Sequence, residues 1–369
     1  MSGPALRLAV ELDGDGAHPA AWRRAAHSPD HLLTPRRVAR VAAAAENAGF
    51  TLLTLEDGAL PPGATPDAVG RIGAVERAAF LAASTSVIGI APVVPVTYAE
   101  PFHVSSQLAS LDHISIGRAG WVVSEEARPE AARAWDRPLV EDAAARARES
   151  RDGIEVVRAL WDSWEDDAVI RSVATSRYLD RDRLHYVDFT GDTYAVKGPA
   201  IVPRPPQGQL VVLGRPDLVP AEQLDVALVE GRDIAAVTAA AAAAGTPRTF
   251  AEVEVALDTA DATADERVAD LERHAPWTTS GRLRHIGSAA GLATLLERLR
   301  GVVDGVRLHP LVLDEDLPEL SRLVLPHLFA RRHAVRPLPG ASLRTHLGLE
   351  RPANRYAAGA AFEALEETR

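Results

Sequence analysis

Residues 87–123 read VIGIAPVVPVTYAEPFHVSSQLASLDHISIGRAGWVV. The run Val87–Val94 is continuous and β-branched, the pattern of a strand buried on both faces. A helix follows near Phe102–Leu111, and a second strand around His113–Val123. A strand, a crossover helix and another strand form a βαβ unit, which implies a parallel sheet covered by helices.

The alternation continues in both directions. Upstream, Leu6–Leu12 and Phe50–Leu55 read as strands. Between them Val38, Val41, Ala42 and Ala45 recur at helical spacing, with Thr34 as N-cap, Pro35 at the first helical position and Gly49 as the stop. Ile72, Val75, Ala79 and Ala82 mark the next helix. Downstream, Asp142–Trp164 is a long helix lined by Ile154, Val157, Trp161 and Trp164, both tryptophans being read as core. Strands follow at Leu210–Leu213, Leu224–Val229, Val253–Leu257 and Gly305–Leu308, with helices at Asp233–Ala244, Ala264–His274, Ser288–Arg300 and Leu317–Arg331. Eight strands, most followed by a helix, predict a closed α/β barrel of the (β/α)8 TIM type.

Two segments depart from this rhythm. Residues 165–208 are polar and then proline-rich (Pro199, Pro203, Pro205, Pro206), and Tyr178, Tyr186, Phe189 and Tyr194 offer apolar anchors. We read them as an ordered insertion within one domain spanning 1–369, with 337–369 as a C-terminal tail. The link Gly214–Gln223 carries Pro216 and Pro220 and is too short for a helix with its turns. The barrel therefore lacks its regular fifth helix, which would leave sheet surface for a partner chain or the 165–208 insertion to cover.

Composition narrows the chemistry. Forty cations against 51 carboxylates leave a net charge of −11, which repels phosphate backbones and anionic lipid, so nucleic acid and membrane are poor partners. Lys197 is the one lysine. With no cysteine there is no disulfide, thiolate metal site or thiol nucleophile. No apolar run reaches the ~18 residues of a membrane span, and the N-terminus has no signal-peptide layout, so a cytoplasmic protein is expected. Walker, nucleophile-elbow, zinc-protease and dinucleotide-loop motifs are absent. Asp13-Gly14-Asp15-Gly16 fails as a calcium loop because its twelfth position is Arg24. No metal site is predicted: His27 and His31 are separated by Pro29, and Arg36-Arg37 reads as surface charge.

Four stretches carry more than a generic barrel. Ser110–Trp121 (SLDHISIGRAGW) and Tyr98–His103 (YAEPFH) resemble the bacterial-luciferase-like flavin-dependent monooxygenases. Gly191–Pro199 with Pro203–Gln209, and the tail Leu347–Leu349 with Arg351–Tyr356, resemble the nitrilotriacetate and dibenzothiophene-sulfone monooxygenase subgroup. The resemblance implies a barrel that takes reduced FMN at the C-terminal strand ends, reacts it with O2 and oxidises a small organic substrate. A separate NAD(P)H:flavin reductase would supply the flavin, and the chain would form a homodimer or homotetramer. The flavin brings the hard chemistry; the protein orients it and excludes water.

The resemblance also implies positions. His18 would be the catalytic proton donor or acceptor. Trp22, Arg23 and Trp121 would wall the substrate pocket. Asp57 and Thr97, at the ends of the second and third strands, would contact the flavin. His113 and Arg118 read as structural. Val122 stands where relatives place a flavin-contacting asparagine, and Asp142-Ala143-Ala144-Ala145-Arg146 lacks the usual tyrosine. After Leu213 the family opens a helix whose free amides hold the FMN phosphate. Here only Gly214 and Arg215 stand in that place, Arg215 either as a bidentate fork on phosphate or as a surface charge. Two alternatives stay open: an oxidoreductase using FMN or the deazaflavin F420 without oxygen insertion, and a non-catalytic paralogue with no cofactor.

Overall fold

A computed structural model describes residues 3–12, 14–58, 70–192, 194–278 and 280–357. Asp13 of the Asp-Gly-Asp-Gly run, Thr193 of the Gly191–Pro199 motif and residues 358–369 of the tail lie outside them. The barrel strands are β1 (Arg7–Glu11), β2 (Leu52–Leu55), β3 (Gly89–Pro95), β4 (Gly120–Ser124), β5 (Val211–Gly214), β6 (Val226–Val229), β7 (Arg248–Leu257) and β8 (Gly305–Pro310). All pair in parallel, and β8 pairs with β1 to close the ring. Tracing partners from Ala9 through Leu52 and Gly89 around the ring returns to β1 displaced by eight residues. That is the shear of a (β/α)8 barrel.

Strand alternation sorts the side chains. Leu8, Val10, Leu53, Leu55, Trp121 and Val123 face the surrounding helices, while Ala9, Leu52, Ala91, Val93, Val122, Val211 and Leu213 face the interior. Phe250 fits inside because Gly305 lies opposite: a Cβ there would sit 2.5 Å from its ring and 2.6 Å from the Arg7 carbonyl. Leu343 and Leu347, from a short helix (Leu343–Leu347), join this interior cluster and plug its floor.

The helices include α1 (Pro35–Ala48), α2 (Ala74–Ser84), α3 (Pro101–Ile114) and α4 (Ala143–Asp162). Gly49 ends α1 at φ +94°, as its position predicts. The fourth strand starts at Gly120, not near His113. Helix α3 runs through Ile114, and the chain then turns through Ile116 (φ +57°) and Gly117 (φ +81°). Asp112 holds this turn, accepting from Ala119 N (3.2 Å) and from Gln207 Nε2 (2.7 Å). Arg118 donates to the carbonyls of Ala82, Thr85 and Ile88. Much of the SLDHISIGRAGW stretch is therefore joinery between elements.

Between β5 and β6 the link forms two successive turns, at 215–219 and at Ala221–Gln223, so the fifth helix is absent. Among the described residues the link itself covers this part of the sheet: Val219 and Leu224 are buried on the outer face of the barrel, and Gln223 is tied to Arg151 and Arg158 of α4. A strand unforeseen in the sequence, Leu283–Gly287, pairs with the C-terminal half of β7 above β6.

The 165–208 insertion forms two small hairpins packed on α4. Phe189 and Tyr194 anchor it as expected, packed in one cluster with Trp164 and Ala200, but Tyr178 and Tyr186 are exposed. The tail clamps the end of α4: Asn354 donates to the carbonyls of Asp162 and Trp164, and Arg351 pairs with Asp166. No helix among the described residues is long and apolar enough to cross a membrane.

Buried Arg344 fixes the β5–β6 link from below. It donates to the Gln209 carbonyl (2.7 Å) and pairs with Asp225 (3.1 Å), which also accepts from Val212 N and Arg158. Arg344→Met leaves Asp225 buried with fewer partners, so we expect a loss of about 3 kcal/mol. Urea unfolding measures it; a loss below about 0.5 kcal/mol, the range of ordinary surface changes, would contradict this role.

Candidate active site at the barrel mouth

The interior has two halves. On β3, β4, β5 and β6 it is aliphatic, with Val93, Val122, Leu213 and Leu228. On β1, β2, β7 and β8 the same layers carry Glu11, Thr54, Glu252, Arg307 and His309. A charge is retained in a barrel interior only when paired and hydrogen-bonded, and these are. Arg307 forks onto Glu252 at 2.8 and 2.6 Å and reaches Glu11 at 3.3 Å. Thr54 donates to Glu11 at 2.5 Å. His309 Nε2 lies 2.9 Å from Glu252.

Burial opposes ionisation of Glu252, but the Arg307 charge and the hydrogen bonds from Arg307 and His309 override it and hold the carboxyl far below the ordinary range. Burial would lower Arg307; Glu252 outweighs this and keeps the guanidinium charged. For His309 burial wins and lowers its pKa, so the ring is neutral. An ionised carboxylate only accepts, so the hydrogen-bond pattern assigns the His309 proton to Nε2 and leaves Nδ1 as an acceptor.

Above this network is a cavity of about 160 Å³ lined by Glu11, Gly16, Ala17, Glu56, Arg282, His309 and Pro310. Arg282 stands 3.6 to 3.8 Å from Glu252, Glu254 and Glu230. Arg284 pairs with Glu254 at 2.7 Å and stacks on Trp277 at 3.6 Å. Glu11 Oε1 is buried with no hydrogen-bond partner.

The residues named from sequence are dispersed. His18 is buried 6.0 Å from Trp277, accepts from Ala20 N through Nδ1 and has no partner at Nε2; burial lowers its pKa. It is not among the residues lining the cavity. Arg23 lies over the Trp22 ring at 4.9 Å, so these two contact each other. Trp121 lies outside the barrel wall, edge-on to Trp161, and donates to the Val94 carbonyl; its outward register removes it from the mouth. Val122 faces inward. Asp57 accepts from Gly58 N and Ala74 N, capping the entry to α2. Thr97 accepts from Glu126 N at 3.2 Å. Gly214 ends β5 against Leu224, and Arg215 forks onto Asp217. Arg37 is no surface charge: it is buried between Asp15 and Asp314.

Glu11, Glu56, Glu252, Arg282, Arg307 and His309 were not singled out from sequence. For Glu252, Arg307 and His309 the signal is Ala251-Glu252-Val253-Glu254-Val255 and Gly305-Val306-Arg307-Leu308-His309, in which a charged or polar residue recurs every second position of an otherwise apolar strand. In a barrel that register points inward.

A polar site at the C-terminal end of a (β/α)8 barrel places the chain in the class of barrel enzymes. Within it the chain belongs to the luciferase-like monooxygenase family, whose model matches residues 16–301. It is 34% identical over 209 residues to N-acetyl-S-(2-succino)cysteine monooxygenase of Bacillus subtilis (strain 168), covering 56% of this chain and 47% of that protein. It is 34% identical over 206 residues to dibenzothiophene-sulfone monooxygenase of Rhodococcus erythropolis, covering 52% and 45%. The matched part is thus about half the length of these relatives. A crystal structure of riboflavin lyase with modified FMN and substrate riboflavin superposes with a TM-score of 0.80 at 21% identity, covering 95% of this chain and 97% of that one.

The depressed Glu252 pKa sets a sign for acid stability. Its contribution is complete above the unfolded carboxylate value of about 4.3 and is lost as pH falls through the lower folded value. Glu252→Gln should cost about 3–5 kcal/mol at neutral pH, because it strands Arg307, and should flatten the decline in stability below about pH 4. Chemical denaturation across pH tests both; an unchanged acid limb would contradict the assignment.

Proposed function

We propose that this chain is the oxygenase component of a flavin-dependent monooxygenase, oxidising a small organic substrate with O2 and a reduced flavin delivered by a separate reductase. Family membership together with the polar cavity at the barrel mouth carries this reading. Reduced flavin supplies the electrons and the oxygen chemistry in such enzymes.

FMN held in the family's manner does not fit the residues present. Its phosphate calls for a helix N-terminus, and residues 215–225 form a pair of turns bearing Asp217 and Glu222. The cavity of about 160 Å³ is also below the ~300 Å³ of ordinary small-ligand pockets. His309 accepts a proton at Nδ1, and Glu252 steadies the ring as it becomes charged, the division of labour of a carboxylate–histidine pair. Arg282 offers its guanidinium to an anionic substrate group. Glu11 Oε1 and Glu56 receive a hydroxyl or ammonium group. The cavity therefore takes the polar end of a substrate whose remainder lies toward the open mouth.

The test is to mix the anaerobic protein with reduced FMN, add O2 and a panel of thioether and amine carboxylates, and analyse products by mass. We expect a product with one added oxygen atom, formed about a hundredfold more slowly in His309→Asn. No oxygenated product, together with no binding of reduced flavin, would overturn the reading.

A further inference from the structure

We propose that this chain recognises its flavin without the phosphate, so that phosphate-bearing and phosphate-free flavins are equivalent to it. The inference rests on the flavin reading above and makes it more specific.

The observation is the state of the β5–β6 link. A phosphate grip needs free amides or a free cation. The link offers neither the free amides of an α-helix N-terminus nor an unpaired cation. The amides of Leu218 and Val219 donate to the Arg215 carbonyl, that of Gln223 to Pro220, that of Leu224 to Ala221 and that of Asp225 to Val212. They are consumed in two successive turns, where a helix would aim its first amides outward. Arg215 is the one cation of the link, and its fork is already filled by Asp217, at 3.0 and 2.6 Å, with Glu230 at 3.5 Å. Asp217, in turn, is held below the ordinary carboxylate range by that contact.

The charge balance points the same way. A phosphate dianion at the end of β5 would meet Asp217, Glu222 and Glu230 against one neutralised arginine. The neighbouring cation, Arg282, lines the mouth cavity 3.6 to 3.8 Å from Glu230, Glu252 and Glu254, where it serves the anionic group of the substrate. Asp217 is thus the residue that closes the link to phosphate. Its side chain is more than half exposed, so removing it does not threaten the core. The flavin is then a passing co-substrate, recognised by parts it shares with riboflavin.

Anaerobic titration of the full-length protein with reduced riboflavin and with reduced FMN, followed by tryptophan fluorescence, tests this. In the wild type we expect the two Kd values to agree within about threefold, and in Asp217→Ala, which frees Arg215, FMN to gain about tenfold while riboflavin is unchanged. Wild-type FMN binding tenfold or more tighter than riboflavin, or no FMN gain in D217A, overturns the inference while leaving the flavin reading intact. Absence of binding by either flavin overturns the flavin reading and this inference with it.

Discussion

One ionised carboxylate organises the upper half of this barrel. Glu252 is buried where a bare charge would be expelled, and it persists because Arg307 grips both its oxygens while His309 approaches one of them. The consequences spread outward. Arg307 reaches Glu11, Glu11 fixes Thr54, and Arg282 closes over the top. The His309 tautomer, and with it the proton-accepting nitrogen of the cavity, follows from the charge on Glu252.

The opposite half of the barrel is aliphatic, and it contains two of the three positions at which this chain departs from the family pattern. Val122 faces the interior with no polar group to offer. The β5–β6 link has exchanged a helix for a salt-bridged turn, and Arg344 with Asp225 fastens it in that shape. The acidic balance of the sequence thus reappears locally. Carboxylates surround the place where a phosphate would rest.

Much of the architecture was legible beforehand. Eight apolar strand runs and their helical intervals become the eight barrel strands, and the shortness of Gly214–Gln223 announces the missing helix. The errors have local causes. The fourth strand starts later than its sequence suggests, because the turn through Ile116 and Gly117 is written in apolar and glycine residues that also suit a strand. Leu283–Gly287 was missed because Arg284 and His285 interrupt its apolar run. The site was less legible than the fold. Trp121 and Val122 are neighbours in sequence, and only the strand register decides which one enters the barrel. Asp57 and Arg215 are polar groups at strand ends that spend their hydrogen bonds locally, on Ala74 and Asp217. Glu252 and His309 are far apart in sequence, and barrel closure is what brings them together.

The most direct measurement is nitrogen NMR of histidine-labelled protein, read for the His309 ring at neutral pH. A neutral ring protonated at Nε2, with that single-tautomer preference weakened when Glu252 is replaced by Gln, is what a neutral His309 donating to an ionised Glu252 predicts. A neutral ring protonated at Nδ1 would contradict the donation to Glu252, and an imidazolium would contradict the proton-accepting role of His309.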